Sequence, residues 1–339
     1  MSEYRVAILG NGGIFKLAHG PAWKRIPRAK VVATCDVVEE RAVEAAREFD
    51  GAQPFTRAED LLKRDGIDIV DICTPSDTHA PLAIQALEAG KHVICEKPMA
   101  LRPSDSSRLM EVAAARKRHL FIGHTRRFDR RWVQLKEQIA SGRIGEPVAV
   151  RRSERCWGGF PSSQDWHWNL EQSGGVLMDL GIHIADFFAW LLGGPVQSVY
   201  ARALKVREEA RETGCFDFAL VQMGFPGGKR GLMEVSWTHP AAYAPFYSAT
   251  EVIGTRGKLT LTDKGTAPLT VVKKEIGVPR YSTLLSSFPE TFVEELGHFL
   301  DCMEGAARPR IKASEAHQAV RVVDAAFRSI ASGQPVSLS

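Results

Sequence analysis

Short β-rich runs alternate with helical segments over the first 125 residues, and this alternation limits the fold more than any other feature. The runs are YRVAILG (4–10), KVVATCD (30–36), IDIVDICTP (67–75), HVICEKP (92–98) and LFIGHT (120–125). Between them lie EERAVEAAREF, RAEDLLKRD, HAPLAIQALEAG and PSDSSRLMEVAAARKR, all of helical pattern. Such alternation builds a parallel, doubly wound sheet. The runs are almost continuously apolar, as strands covered on both faces should be.

The first run opens into a glycine-rich turn, Gly10-Asn11-Gly12-Gly13-Ile14-Phe15. Gly10 and Gly12 fill the first two positions of a GxGxxG dinucleotide turn, where backbone N–H groups approach a pyrophosphate at a helix start. The third position asks for Gly or Ala and holds Phe15, which works against close helix–strand packing unless the ring turns outward. An ordinary strand–turn–helix is the competing reading of the loop. Asp36 ends the second run, and a carboxylate there accepts hydrogen bonds from ribose hydroxyls and repels a 2′-phosphate. Val37 and Val38 bring no compensating cation, so the expected cofactor is NAD rather than NADP. Arg41, one helical turn on, is the residue that argues the other way if it swings in; otherwise it is a solvated helix residue.

Thr74, Pro75 and His79 follow the end of the third run, and Glu96 and Lys97 end the fourth. All lie at the carboxyl edge where doubly wound sheets bind ligands. His79 also reads as a helix-start residue bound to backbone, and Lys97 as a solvated strand-end lysine. The bond before Pro98 is a candidate for the cis form.

After about residue 124 the pattern changes. RRFDRRWVQLKEQIASG is an amphipathic helix, and EPVAVRRSERC, VQSVYARALKV, CFDFALVQMGF, RGLMEVSWTH, FYSATEVIG, GKLTLT and LTVVKK read as strands. Turns such as FPGGKRG join some of them as hairpins. This predicts an α+β domain with a mainly antiparallel, open sheet. The expected division is a Rossmann domain over 1–124 and a second domain over 125–339. Helices at about 287–305 and 313–332 close the chain, the latter expected to pack back on the first domain.

The stretch GGVLMDLGIHIADFF (174–188) sets Asp179, His183 and Asp186 inside an otherwise apolar helix. Spacings of i+4 and i+3 put them on one face, and burial of such groups is costly unless they are paired. Gly174–Gly175 predicts a tight entry where backbone approaches a ligand. Capping and pairing within the helix is one alternative. A metal on Asp179, His183 and His167 is another, though no third ligand is secured, and the reading assigns no metal. Asp186 reads as structural, or as orienting His183 from behind.

Bulk properties exclude some classes. The net charge of +4 is small, and the basic clusters RKR and RRFDRR lack interleaved aromatics, so no nucleic-acid partner is expected. No 18-residue apolar stretch is read, so no membrane span is expected. The N-terminus lacks a signal-peptide core. The six cysteines form no CxxC pair and read as free thiols of a cytoplasmic protein.

Several ordered motifs together resemble the Gfo/Idh/MocA oxidoreductase family. They are GNGGIF…HGPAW, CD at 35–36, TPSDTHAPLAIQALEAGKHVICEKP, RRF at 126–128, SGRIGEP, SGGVLMDLGIHIADFFAWLLG and ASEAHQAVRVVDAAFRSIASGQPV. The resemblance covers nearly the whole chain. It implies that Lys97, Asp179 and His183 form a substrate-reactive trio, with Arg127 and Phe128 on the substrate side. It also implies oligomerisation through the open sheet face, as a homodimer or homotetramer. The residue types suit alcohol oxidation: a neutral imidazole takes the hydroxyl proton, and a nearby ammonium keeps it neutral and stabilises alkoxide charge. The loop RCWGGFPSSQDWHWN (155–169) offers Trp157, Trp166 and His167 as pocket walls, tryptophan faces being suited to sugar or inositol rings. The expectation is therefore an NAD-dependent dehydrogenase of a sugar or cyclic polyol. The rivals are a glycoside-cleaving enzyme with tightly held NAD and a nucleotide-sensing regulator.

Overall fold

The computed structural model describes residues 3–156, 165–238, 246–262, 269–272, 276–277 and 288–338. Trp157, named above as a pocket wall, lies outside the described residues. The apolar runs form strands β1 (Tyr4–Leu9), β2 (Ala29–Cys35), β4 (Ile69–Ile72), β5 (His92–Glu96) and β6 (Leu120–Gly123), joined by a short β3 (Gln53–Phe55). All pair in parallel, in the order β3-β2-β1-β4-β5-β6. This is the doubly wound arrangement that places a ligand crevice beside β1 and β4, where the strand order reverses. The sequence reading missed β3. It has three residues, lies at the sheet edge and is mostly exposed, so no apolar run marks it.

The chain divides into two compact units, one of 1–128 with 287–317 and one of 129–286 with 318–339. The segment 287–317, read from sequence as part of the second domain, thus lies in the first unit. Its helix Phe288–Met303 contributes Phe292, Leu296, Phe299 and Leu300 to a core built with Val6, Ile8, Phe15, Trp23 and Phe121. The final helix, Ala313–Ser332, belongs to the second unit from Gln318 onward. In that unit the Ala201 N–H donates to the buried Ser329 hydroxyl at 3.0 Å.

Phe15 does not turn outward. It is fully buried in the first unit's core, and two local adjustments make room. Residues Phe15–His19 form a π-helical turn, which widens the helix where the ring enters. Gly20 follows, and a Cβ there would lie 3.1 Å from the Phe15 ring.

The second unit carries β7 (Pro147–Cys156), β8 (Ser198–Leu204), β9 (Phe218–Gly224), β10 (Arg230–Ser236), β11 (Phe246–Gly254), β12 (Gly257–Thr262), β13 (Leu269–Val272), β14 (Ile276–Gly277) and β15 (Val336–Ser337). They make one sheet in the order β14-β13-β12-β11-β7-β10-β9-β8-β15. Every pair is antiparallel except β7 with β10. Trp132, from the helix Arg130–Ala140, is buried edge-on against Phe187 from the helix Ile182–Leu192. The alternate positions Leu204, Leu220 and Leu232 on β8, β9 and β10 remain about half exposed. The helical run Leu170–Leu192 is long and apolar enough to cross a membrane by length and composition, which the sequence reading overlooked; it is mostly buried in the protein.

Candidate active site

In the first unit the glycine turn follows β1. Gly10 has φ +88°, and a Cβ there would lie 2.7 Å from the Cys73 carbonyl carbon, so the turn passes too close to β4's end for any side chain. Gly12 and Gly13 have no atom within 4 Å of a would-be Cβ, which leaves their backbone open to approach. The Asp36 carboxylate closes the turn from the end of β2. It accepts the Asn11 N–H at 2.8 Å and the Val38 N–H at 2.9 Å. Val37 beside it is 90% exposed, an apolar surface next to an anchoring carboxylate. The Asn11 side-chain amide is fully buried, and neither its oxygen nor its nitrogen has a hydrogen-bond partner. Buried amides left unsatisfied are rare. An open glycine backbone, an orphaned amide and a ribose-type carboxylate fit a dinucleotide. The third residue of the motif, Phe15, serves the core instead of the ligand.

Thr74 and Pro75 are half-buried where β4 ends. The Thr78 hydroxyl donates to Thr74 Oγ1 at 2.7 Å. His79 is buried with Nδ1 2.7 Å from the Pro98 carbonyl oxygen and Nε2 2.8 Å from that of Thr74. Burial holds its pKa below the usual imidazole range despite both carbonyls. The ring thus bridges the loops after β4 and β5, which agrees with the reading of His79 as a backbone-binding residue. The Lys97–Pro98 peptide is cis, and Lys97 is half-buried.

Behind Lys97 lies a buried polar cluster that the sequence reading did not assemble. His19 Nδ1 is 2.8 Å from Asp71 Oδ2, and its Nε2 is 3.0 Å from Glu96 Oε1. Both ring nitrogens face carboxylates, so both donate and the ring is an imidazolium. Burial alone would depress its pKa, but the Asp71 carboxylate outweighs this and raises it well above the ordinary value. Burial pushes Glu96 up, yet its hydrogen bond and charge pairing with His19, helped by Lys97, hold it below the ordinary carboxylate range. Trp23 Nε1–H also donates to Asp71, at 2.7 Å. Cys73 completes a trio with His19 and Asp71 whose donor atoms lie within 4.8 Å of one another. Burial pushes its thiol up to about 12, and the imidazole is already committed to two carboxylates, so this is ion-pair chemistry rather than a ligand set.

Arg127 and Phe128 are buried in the first unit's packing. Arg127 Nη1–H donates to the Arg310 carbonyl at 2.8 Å and to Glu315 Oε1 at 3.0 Å. The Phe128 ring meets Phe299 edge-on at 5.8 Å, and the Arg310 guanidinium lies 5.1 Å above it.

In the second unit the GGVLMDLGIHIADFF stretch begins with a tight entry: Gly175 has φ +63°, and a Cβ there would lie 2.9 Å from Cys215 Sγ, so a neighbouring segment of the chain requires glycine there. Residues Leu177–Gly181 form a second π-helical turn before the helix Ile182–Leu192. From Val176 to Phe188 every residue is buried except Asp179 and His183, which are partly exposed; Asp186 is buried. Asp179 Oδ2 accepts the Trp237 indole N–H at 3.1 Å, and Trp168 packs edge-on against Trp237 at 5.3 Å. Trp166 and His167 are half-buried in a short 3₁₀ turn, their rings 3.8 Å apart. The aromatic segment is thus tied to Asp179 through two indoles, a link carried by Trp237, which the sequence reading did not single out.

A parallel sheet in this order, with an open glycine turn and a carboxylate at the end of β2, defines a dinucleotide-binding fold. The comparisons agree. The profile described as "Oxidoreductase family, NAD-binding Rossmann fold" matches residues 4–124, and that of the GFO/IDH/MocA C-terminal domain matches 132–260. The chain belongs to the Gfo/Idh/MocA oxidoreductase family. It is 29% identical to myo-inositol 2-dehydrogenase of Thermotoga maritima over 98% of each chain. It is 29% identical to scyllo-inositol 2-dehydrogenase (NAD(+)) of Bacillus subtilis over 99% of this chain and 96% of the relative. Among solved structures, a putative myo-inositol dehydrogenase from Sinorhizobium meliloti superposes with TM-score 0.84 at 28% identity, covering 99% of this chain and 100% of the other.

Proposed function

We propose that the chain is an NAD-dependent dehydrogenase acting on a secondary hydroxyl of an unphosphorylated sugar or cyclic polyol of the inositol kind. The observation that carries this reading is the selective exposure of Asp179 and His183 in a run that is otherwise buried from Val176 to Phe188. Burying either group unpaired would be costly, and both are instead left partly open, where a substrate can reach them. NAD supplies the hydride acceptor when bound. The His183 imidazole takes the hydroxyl proton as general base. Asp179, held by Trp237, orients the hydroxyl. The Lys97 ammonium stabilises the negative charge that develops on the substrate oxygen. Trp166 and His167 offer flat faces to a ring substrate. Gly10, Asn11, Gly12, Gly13 and Asp36 hold the dinucleotide, with Thr74, Pro75 and His79 shaping the neighbouring loop.

The relatives named above are dehydrogenases, and the glycoside-cleaving alternative drawn from sequence has no support among them. The further reading is a cytoplasmic homo-oligomer that covers the half-exposed Leu204, Leu220 and Leu232. The test of the chemical roles is His183→Ala. Turnover is expected to vanish while NAD affinity stays at the wild-type value. Loss of both together would mean that His183 holds the fold rather than the proton.

A further inference from the structure

The cluster behind Lys97 is assembled from four distant parts of the chain. His19 comes from the π-turn after β1, Asp71 from β4, Glu96 from the end of β5 and Glu295 from the helix Phe288–Met303. All four side chains are buried. Such a set is expensive to enclose, and buried ion pairs are weak devices for stability alone. Its geometry is directional. Asp71 fixes one edge of the His19 ring, and the opposite edge donates to Glu96 Oε1. Glu96 Oε2 accepts the Lys97 backbone N–H at 3.1 Å. One peptide further on, the Pro98 carbonyl meets His79 Nδ1 at 2.7 Å. Gly123, paired with Glu96 across β5 and β6, leaves the space the carboxylate needs: a Cβ there would lie 3.1 Å from Glu96 Oε1. Phe292 closes the cluster, its ring 5.2 Å from the imidazole.

We propose that His19, Asp71 and Glu96 form a buried hydrogen-bond relay that fixes the main chain at Lys97 and so sets the direction of its ammonium group, making His19 and Glu96 positioning residues for the reaction. The inference rests on the reading of Lys97 given under the proposed function. His19 acts as the strut: as an imidazolium it clamps two carboxylates that would otherwise repel each other. Glu96 transmits this order to the next peptide unit. No atom of the relay has to touch substrate or cofactor.

The test compares Glu96→Gln, His19→Gln, Lys97→Met and Arg28→Met in the full-length protein. Arg28→Met is the stability control. It removes the ion pairs to Asp301 at 2.7 Å and Glu304 at 2.8 Å, within the same unit but outside the relay. The relay variants are expected to lose about 10–100-fold in kcat, the scale of a misplaced catalytic group, with substrate KM and NAD affinity near wild type. Arg28→Met is expected to unfold earlier with kcat unchanged. If Lys97→Met turns over normally, the reading of Lys97 fails and the inference with it. If Lys97→Met is dead while folded Glu96→Gln and His19→Gln keep wild-type kcat, the inference alone is overturned. The same holds if kcat and NAD affinity fall in parallel. Should the relay variants not fold, nitrogen NMR of His19 in the wild-type protein decides: two protonated ring nitrogens at neutral pH support the strut, and a neutral tautomer refutes it.

Discussion

Glu295 is fully buried, and neither carboxylate oxygen has a hydrogen-bond partner. Burial, reinforced by the nearby Glu96 charge, raises its pKa well above the ordinary value, which favours the neutral acid in the fold. The unfolded chain releases that proton in the ordinary carboxylate range. Above it the native state binds more protons than the unfolded state, and stability falls with pH by about 1.4 kcal/mol per unit until the folded group titrates. Glu295→Gln mimics the neutral acid and removes this slope. Urea unfolding is expected to show the variant stabilised relative to wild type, by a margin that grows as the pH rises above the ordinary carboxylate range. Parallel curves would show that Glu295 is ionised in the fold. At Asp179, Trp237→Phe removes one donor from a partly exposed carboxylate. A stability loss of about 1 kcal/mol is expected, with a larger proportional loss in kcat than in KM; an unchanged kcat would separate Trp237 from the chemistry. Of these residues the sequence offered only hints. Asp71 stands in the apolar run IDIVDICTP, and an acid in a buried strand calls for a partner. Its partners His19 and Trp23 lie too far along the chain for any spacing rule to join them.

At the scale of elements, the β-rich runs were legible because strands covered on both faces must be apolar throughout, and β1, β2, β4, β5 and β6 fall where those runs lie. The edge strand β3 lacked that constraint. Both π-turns, Phe15–His19 and Leu177–Gly181, were invisible, because periodicity assumes the α-helical pitch. Each precedes or contains candidate site residues, as π-turns often do. Arg127 and Phe128, named by resemblance, are buried, and the contacts described for them lie within the first unit. The first π-turn carries its own prediction. Ala at position 20 gains helix propensity of about 1 kcal/mol, but its Cβ would meet the Phe15 ring and the Phe15 carbonyl oxygen, each at 3.1 Å, and only the ring contact is relieved by a smaller side chain at 15. Gly20→Ala is therefore expected to destabilise in wild type and to be tolerated better beside Phe15→Leu. A double-mutant cycle should return a coupling of about 1 kcal/mol or more; strict additivity would mean the two sites do not share that space.

For the whole molecule, the sequence divides into a dinucleotide-binding unit and a second unit with one large sheet. The sequence reading did not anticipate that the helix Phe288–Met303 belongs with the first unit. Its apolar positions show that it is buried, but periodicity does not say against which core. The exposed leucines of β8, β9 and β10 make the proposed self-association testable. Leu220→Lys with Leu232→Lys is expected to lower the mass measured by light scattering to that of a smaller species, and an unchanged mass would place the interface elsewhere. The most direct measurement follows the absorbance of reduced nicotinamide with NAD, and separately NADP, across a panel of inositols and monosaccharides. Reduction of NAD in preference to NADP by at least one unphosphorylated ring compound, abolished by His183→Ala, is the predicted result. Reduction of NADP in preference to NAD, or no reduction by any member of the panel together with no oxidation of NADH by the corresponding keto compounds, would contradict it.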